Sequence, residues 1–276
     1  KPYVGKITRN IAFDKYAYRN AAKRNANATV LMSELGEIAD GSEDTVADTE
    51  AITAAINTLL AKKTEINMIF AAAPSQNEVL WGLATDREIP WNRVNAFHMD
   101  EYIGLPADAP QGFGNFLKEH IFGLADFKEV FYIDITAKDA EAECDRYAAL
   151  LREYPTDIVV MGIGENGHIA FNDPPVADFA DPKAVKPVEL DPICRNQQVN
   201  DGCFAALDDV PKTAITLTVP TLFAGDHLFC IVPAKTKAKA VRATLCGEIG
   251  EACPATILRR HKSAVLYLDG DSSALL

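Results

Sequence analysis

Two short strings in this chain of 276 residues carry residue types suited to acid–base chemistry. The first is GIGENGHIAFNDPP, residues 162–175. Its opening matches the G-x-G-x-x-G pattern of dinucleotide-binding turns, but that fingerprint must open a helix whose N-terminus receives the pyrophosphate. Here HIAFNDPP follows, and Pro174 and Pro175 leave room for little more than one helical turn, so NAD and FAD are not expected. What the glycines permit is close approach of backbone N–H groups to an anion or oxyanion. His168 comes directly after them; an imidazole there can act as general acid or base, and Asp173, five residues on, is placed to set its charge or tautomer. A loop histidine with a purely structural role is the alternative, and the glycine cluster at a strand end favours the functional one. The second string is HMDEYIGLP, residues 98–106, with adjacent carboxylates at Asp100 and Glu101. Neighbours at a strand end point to opposite faces, so only one of the two can enter a site beyond the sheet. His98 and Asp100 share a face by spacing, yet a metal centre wants three or four ligands and no third stands nearby, so no metal is assigned.

Positioning such groups requires a scaffold, and the composition describes one. Forty-eight percent of the residues are apolar and 24% charged, as in soluble globular enzymes. With 27 basic residues against 39 acidic, the formal charge of −12 argues against a nucleic acid or an anionic membrane as partner. Residues 1–29 are polar and punctuated by charge, unlike the apolar stretch of a secretory signal, and the expectation is a cytoplasmic protein. The basic N-terminal arm, about 1–48 with its acidic end, either pairs internally or stays solvated. Six cysteines show no C-x-x-C spacing and read as buried reduced thiols.

From about residue 49 helix-like and strand-like segments alternate. Ile52, Ala55, Ile56, Leu59 and Leu60 repeat at helical spacing, as do Cys144, Tyr147, Ala148 and Leu151. Residues 66–73, 94–99, 129–135, 157–164, 214–219, 227–233 and 264–269 read as strands, most of them predominantly apolar, with helices after 77, 116 and 235. Residues 100–114 read as a loop, and the Pro- and Asp-rich stretch of about 173–200 as an irregular lid. Apolar strands alternating with helices predict an α/β fold in one domain, a mainly parallel sheet covered on both faces, with ligands at the carboxyl ends of the strands.

Read together, MDEYIGLP (99–106) and GIGENGHIAFNDPP (162–175) resemble the paired motifs of the glucosamine-6-phosphate deaminase (isomerase) family, and the likeness continues through VPKTAITLTV (210–219) and KTKAKAVR (235–242). The resemblance implies a modified Rossmann-like three-layer sandwich and an isomerising, deaminating hydrolase. Its reaction would turn an amino-sugar 6-phosphate, glucosamine 6-phosphate first, into fructose 6-phosphate and ammonia through ring opening and C2 proton transfer, without cofactor or metal. Matched residue by residue, Asp100 falls on the base that moves the C2 proton, His168 on the residue assisting ring opening, and Asp173 on the carboxylate, usually Glu, that partners it. Lys237 falls on the phosphate-binding lysine, with Ser75 a second candidate and the backbone of Gly167 a third contact, while Lys235 and Lys239 are expected to be solvated.

Four departures stand out. Asn166 replaces an Asp beside the histidine, and AAAPSQNEV (71–79) lacks the usual Gly- and Thr-bearing phosphate loop. QVNDGCF (198–204) lacks the phosphate arginine, for which Arg195 is the substitute candidate, and PPVADFADPKAV (174–185) lacks the effector-binding Ser and Arg of some bacterial members. The same likeness leaves a 6-phosphogluconolactonase, or a sugar-phosphate sensor without turnover, as alternatives, and makes a homo-oligomer a reasonable expectation.

Overall fold

The structure, a computed structural model, describes residues 28–31 and 47–276. Most of the N-terminal arm, and any pairing of its charges, lies outside the described residues.

Strands that alternate with helices explain most of the scaffold. Strands β2 (Ile66–Phe70), β3 (Val94–His98) and β6 (Ile158–Met161) are buried at every position, because both faces of the sheet are covered. Alternate residues divide between two cores. Ile66, Met68 and Phe70 pack with α1 (Ala47–Leu60) and α2 (Asn77–Thr85), whereas Ile69, Phe97, Val159 and Met161 face α4 (Ala140–Glu153) and α7 (Ala238–Cys246). Helix α4 starts where Asp139 accepts the N–H groups of Glu141 and Ala142, and it buries Cys144, Tyr147, Ala148 and Leu151, the spacing read from the sequence.

Joined by β5 (Glu129–Phe131), β9 (His227–Val232), β10 (Ala264–Leu268) and β1 (Ala28–Leu31), these strands form a sheet of order β1-β10-β9-β6-β2-β3-β5. All neighbours run parallel except β1, which pairs antiparallel with β10 in the register Ala28↔Leu268. The α/β class and the mainly parallel sheet expected from the alternation are therefore present.

A second sheet was not legible in the sequence. Strand β4 (Asp100–Tyr102) begins one residue after β3 and pairs antiparallel with β8 (Thr213–Leu217), which pairs in turn with β7 (Val185–Glu189). The start of the expected 100–114 loop is thus a strand, and the rest leads into a short helix α3 (Phe113–Leu117). The stretch about 173–200 departs further from expectation. It holds β7 and helix α5 (Pro192–Asn200), whose cap is local: Asp191 accepts the N–H of Ile193 at 2.8 Å and Pro192 stands in the first turn. Only 173–184 is irregular, tied down by the Val176 and Ala177 N–H groups donating to the Asp173 carbonyl. A short helix α6 (Val219–Phe223) links β8 to β9. All six cysteines are free thiols; Cys144, Cys194 and Cys230 are buried as expected, whereas Cys203 and Cys253 are half-buried and Cys246, at the end of α7, is exposed.

Candidate active site

Four neighbouring strands of the main sheet, in the order β9-β6-β2-β3, release their chains at one edge. The residues after them line a cleft of about 510 Å³, open solvent at its mouth included: Ser75 and Gln76 after β2, Asp100 after β3, Gly164 and His168 after β6, and Lys237 after β9.

The adjacent carboxylates separate as strand geometry demands. Asp100 enters the cleft, while Glu101 turns away and accepts the N–H groups of Tyr102, Phe113 and Gly114 at 2.8–3.0 Å, anchoring the start of α3. Asp100 is buried, and that burial, with the charges of Glu101 and Asp173, pushes its carboxyl well above the usual carboxylate range. Burial likewise raises Glu101 to about 6, against the pull of its three N–H donors. Beneath them His98 is fully buried. Its Nε2 accepts the Ile133 N–H at 2.9 Å and its Nδ1 lies 2.9 Å from the Asp100 carbonyl, so the ring is a neutral Nδ1–H tautomer; burial depresses it to about 4. With both nitrogens taken, His98 positions Asp100 and has none to offer a metal.

The glycine turn presents His168. No helix follows it; the chain folds back in a bridge between Ile169 and Asn172, and the Asn172 amide donates to the Ile169 and Leu217 carbonyls at 2.9 and 2.8 Å. Ala170, at φ 47°, completes this reversal. His168 Nδ1 lies 2.6 Å from Asn166 Oδ1 and 3.0 Å from Asp173 Oδ1, and Asn166 Nδ2 donates to the same Asp173 oxygen at 2.8 Å. Burial opposes ionisation of Asp173, but the hydrogen bond and charge of His168 and the Asn166 amide outweigh it and hold the carboxyl below its usual range. Asn166 is therefore a link between histidine and carboxylate. Gly164 makes the arrangement possible, since a Cβ there would stand 2.0 Å from His168 Cε1.

Lys237 is buried at the other side of the cleft, after a single turn at 235–237; burial lowers its ammonium, against the raising influence of Asp201 and Glu165. Lys235 and Lys239 are exposed, and Ser75 lines the cleft beside Gln76.

Two expected contacts are corrected. Arg195 does not line the cleft; its guanidinium donates to the Leu207 and Val210 carbonyls at 2.6 and 2.8 Å, which ties α5 to the segment after it. Gly167 is not in the cleft wall; at φ 84° its N–H donates to the Gly164 carbonyl, leaving no donor for a ligand, and a Cβ there would stand 2.5 Å from Cys253 Sγ. In their place stand residues that a search for cations passes over. Gln197 and Gln198 reach the cleft from α5, and Gln76 spans from β2 to β9 with its Nε2 on the Ile231 carbonyl at 3.0 Å and its Oε1 buried without a partner among the described residues. The one sequence signal for Gln198 was the absence of the phosphate arginine from QVNDGCF.

Residues 41–267 match the family described as glucosamine-6-phosphate isomerases/6-phosphogluconolactonase. Among similar proteins, a glucosamine-6-phosphate deaminase of Exiguobacterium sibiricum is 37% identical over 183 residues, 66% of this chain and 71% of its own. One of Listeria innocua is 32% identical over 212 residues, covering 77% of this chain and 88% of the relative. In three dimensions the chain resembles a monomeric glucosamine-6-phosphate deaminase, with a TM-score of 0.75 and 28% identity over 83% of this chain and 94% of that one. A 6-phosphogluconolactonase from Thermotoga maritima, at TM-score 0.66 and 23% identity over 82% of this chain and 96% of that one, shares the fold. The chain belongs to the family of glucosamine-6-phosphate isomerases and 6-phosphogluconolactonases.

Proposed function

We propose that the protein converts glucosamine 6-phosphate and water to fructose 6-phosphate and ammonia. The observation that carries this reading is the pairing, in one cleft, of a buried carboxyl group at Asp100 with the His168–Asp173 couple, and a buried ammonium at Lys237 to meet a phosphate.

Each step asks a different group for a proton. His168, its Nδ1 held by Asn166 and Asp173, uses its other nitrogen to move a proton at the ring oxygen and anomeric hydroxyl, opening the sugar to the aldehyde. Asp100 then removes the proton from C2, acidified by the neighbouring carbonyl, and the proton returns at C1. The resulting C2 imine adds water and expels ammonia, so atoms balance without oxidant or metal. Asp100 can accept a proton only when ionised. The ammonium form of the substrate amine supplies a positive charge beside it on binding, which favours the carboxylate that burial disfavours in the empty cleft. Lys237 and the amides of Gln197 and Gln198 hold the far end of the substrate.

A coupled assay for ammonia with glucosamine 6-phosphate, galactosamine 6-phosphate and 6-phosphogluconolactone in parallel tests the reading. Ammonia from glucosamine 6-phosphate is expected. Lactone hydrolysis with no ammonia from either amino sugar would replace it by the lactonase reading, and tight binding without turnover by a sensor.

A further inference from the structure

The reaction above leaves a buried thiol beside its histidine unused. Cys194, in the first turn of α5, is 1% exposed, and its sulfur, one donor atom of His168 and one carboxylate oxygen of Asp173 lie within 4.8 Å of one another. Asp173 is itself fully buried. Its Oδ1 serves His168 and Asn166, and the Cys194 thiol also hydrogen-bonds to the carboxylate. Carboxylate, imidazole and thiol are three groups that bind metals, brought together here away from solvent.

Imidazole nitrogen, thiolate sulfur and carboxylate oxygen form the donor set that zinc takes in four-coordinate sites, at about 2.0–2.3 Å from the ion. Magnesium and calcium would refuse the sulfur and ask for more oxygens. We propose that His168, Asp173 and Cys194 form a zinc-binding site at the base of the cleft, and that its occupation switches the enzyme off.

His168 lines the cleft, so the ion reaches the three donors from the substrate's side. As the zinc–sulfur bond forms, the thiol proton leaves to solvent; the imidazole offers an unprotonated nitrogen, and the fourth position is left to water. No group changes oxidation state. The bound ion separates His168 from Asp173 and fixes the ring, removing the acid–base group needed for ring opening. Zinc is thus an inhibitor here and no participant in turnover.

Binding is read directly with cobalt(II) as a probe, since a cobalt–thiolate bond absorbs in the near ultraviolet. The parent protein is expected to show that band, to lose it when zinc is added, and to lack it as Cys194→Ala. Zinc should also raise the parent's melting temperature and leave that of the variant unmoved. Cys246→Ala, which alters the exposed thiol, should behave as the parent. In the ammonia assay, the zinc concentration giving half inhibition should rise more than about tenfold in Cys194→Ala, at least the loss that follows removal of a group merely supporting a ligand. If Cys194→Ala does not fold, Cys194→Ser carries the same comparison. No cobalt–thiolate band in the parent, or an equal band in the Cys194 variants, overturns the site; a band with undiminished turnover overturns the inhibition. The inhibition arm rests on the deaminase reading and the binding arm does not, so a protein that binds cobalt through Cys194 yet releases no ammonia would refute the reaction and retain the site.

Discussion

Gly164→Ala isolates the contribution of His168 without touching a catalytic side chain. The added Cβ would stand 2.0 Å from His168 Cε1 and 2.3 Å from each ring nitrogen. Ordinary carbon–carbon contact is about 3.5 Å, so the ring must retreat by about 1.5 Å. Its bonds of 2.6 Å to Asn166 and 3.0 Å to Asp173 do not survive such a displacement. A misplacement of about 1 Å costs on the order of 10²-fold in rate, and complete loss of a general acid–base group up to about 10⁴-fold, so kcat should fall by 10² to 10⁴. The backbone at Gly164 is not in the left-handed region, and the cost in stability should be that of modest overpacking, about 1–3 kcal/mol. KM should change little, since Lys237 stands on a different strand end. Steady-state ammonia release with a parallel thermal melt measures all three quantities. Gly250→Ala, where a Cβ meets nothing within 4 Å, is the control and should leave the rate unchanged. A Gly164→Ala protein with parental kcat would refute the placement of His168 against this turn, or its part in the reaction.

Lys237→Ala should lower kcat/KM by roughly tenfold to over a hundredfold, the worth of a charge-assisted contact of about 1.5–3 kcal/mol, while unphosphorylated glucosamine is processed equally poorly by both proteins; an unchanged KM for the phosphorylated sugar would count against this role. Because Asp100 must ionise in an environment that pushes it well above the usual carboxylate range, kcat/KM should rise with pH along an acid limb displaced upward from ordinary carboxylates; a limb near pH 4 would contradict the buried base. His98, depressed from 6.5 to about 4, stays neutral in the folded protein while the unfolded chain binds a proton, so its contribution is present above pH 6.5 and is lost as pH falls toward 4, amounting to about 3 kcal/mol. Glu101, raised to about 6, acts in the opposite sense between its ordinary value and 6, so the difference between the parent and His98→Gln in denaturant titrations across this range isolates the histidine, and identical slopes would refute its burial as a neutral ring.

Local chemistry was legible in the sequence and distant pairing was not. The wholly apolar run at 158–161 and the helical spacing of Cys144, Tyr147 and Leu151 announce a covered parallel sheet because burial on both faces leaves no polar position. Strand β4 announces nothing: three residues carrying two carboxylates show no alternation, and their partner β8 lies more than a hundred residues away. The capping pair Asp191–Pro192 was a readable start signal for α5, masked by the surrounding Pro and Asp. At the site, the grouping of Asp100, His168 and Asp173 follows from strand ends, whereas nothing but charge recommends Arg195 in the sequence. Which side of α5 meets the cleft depends on tertiary packing, and that packing presents Gln197 and Gln198 there instead.

The most direct test is ammonia release from glucosamine 6-phosphate by the parent protein and by Asp100→Asn, which keeps the side chain's size and removes its basicity. The parent should release ammonia, and the variant should be slower by on the order of 10²–10⁴ in kcat while still folded. Ammonia release by Asp100→Asn at the parental rate, or none from the parent, would contradict the proposed reaction.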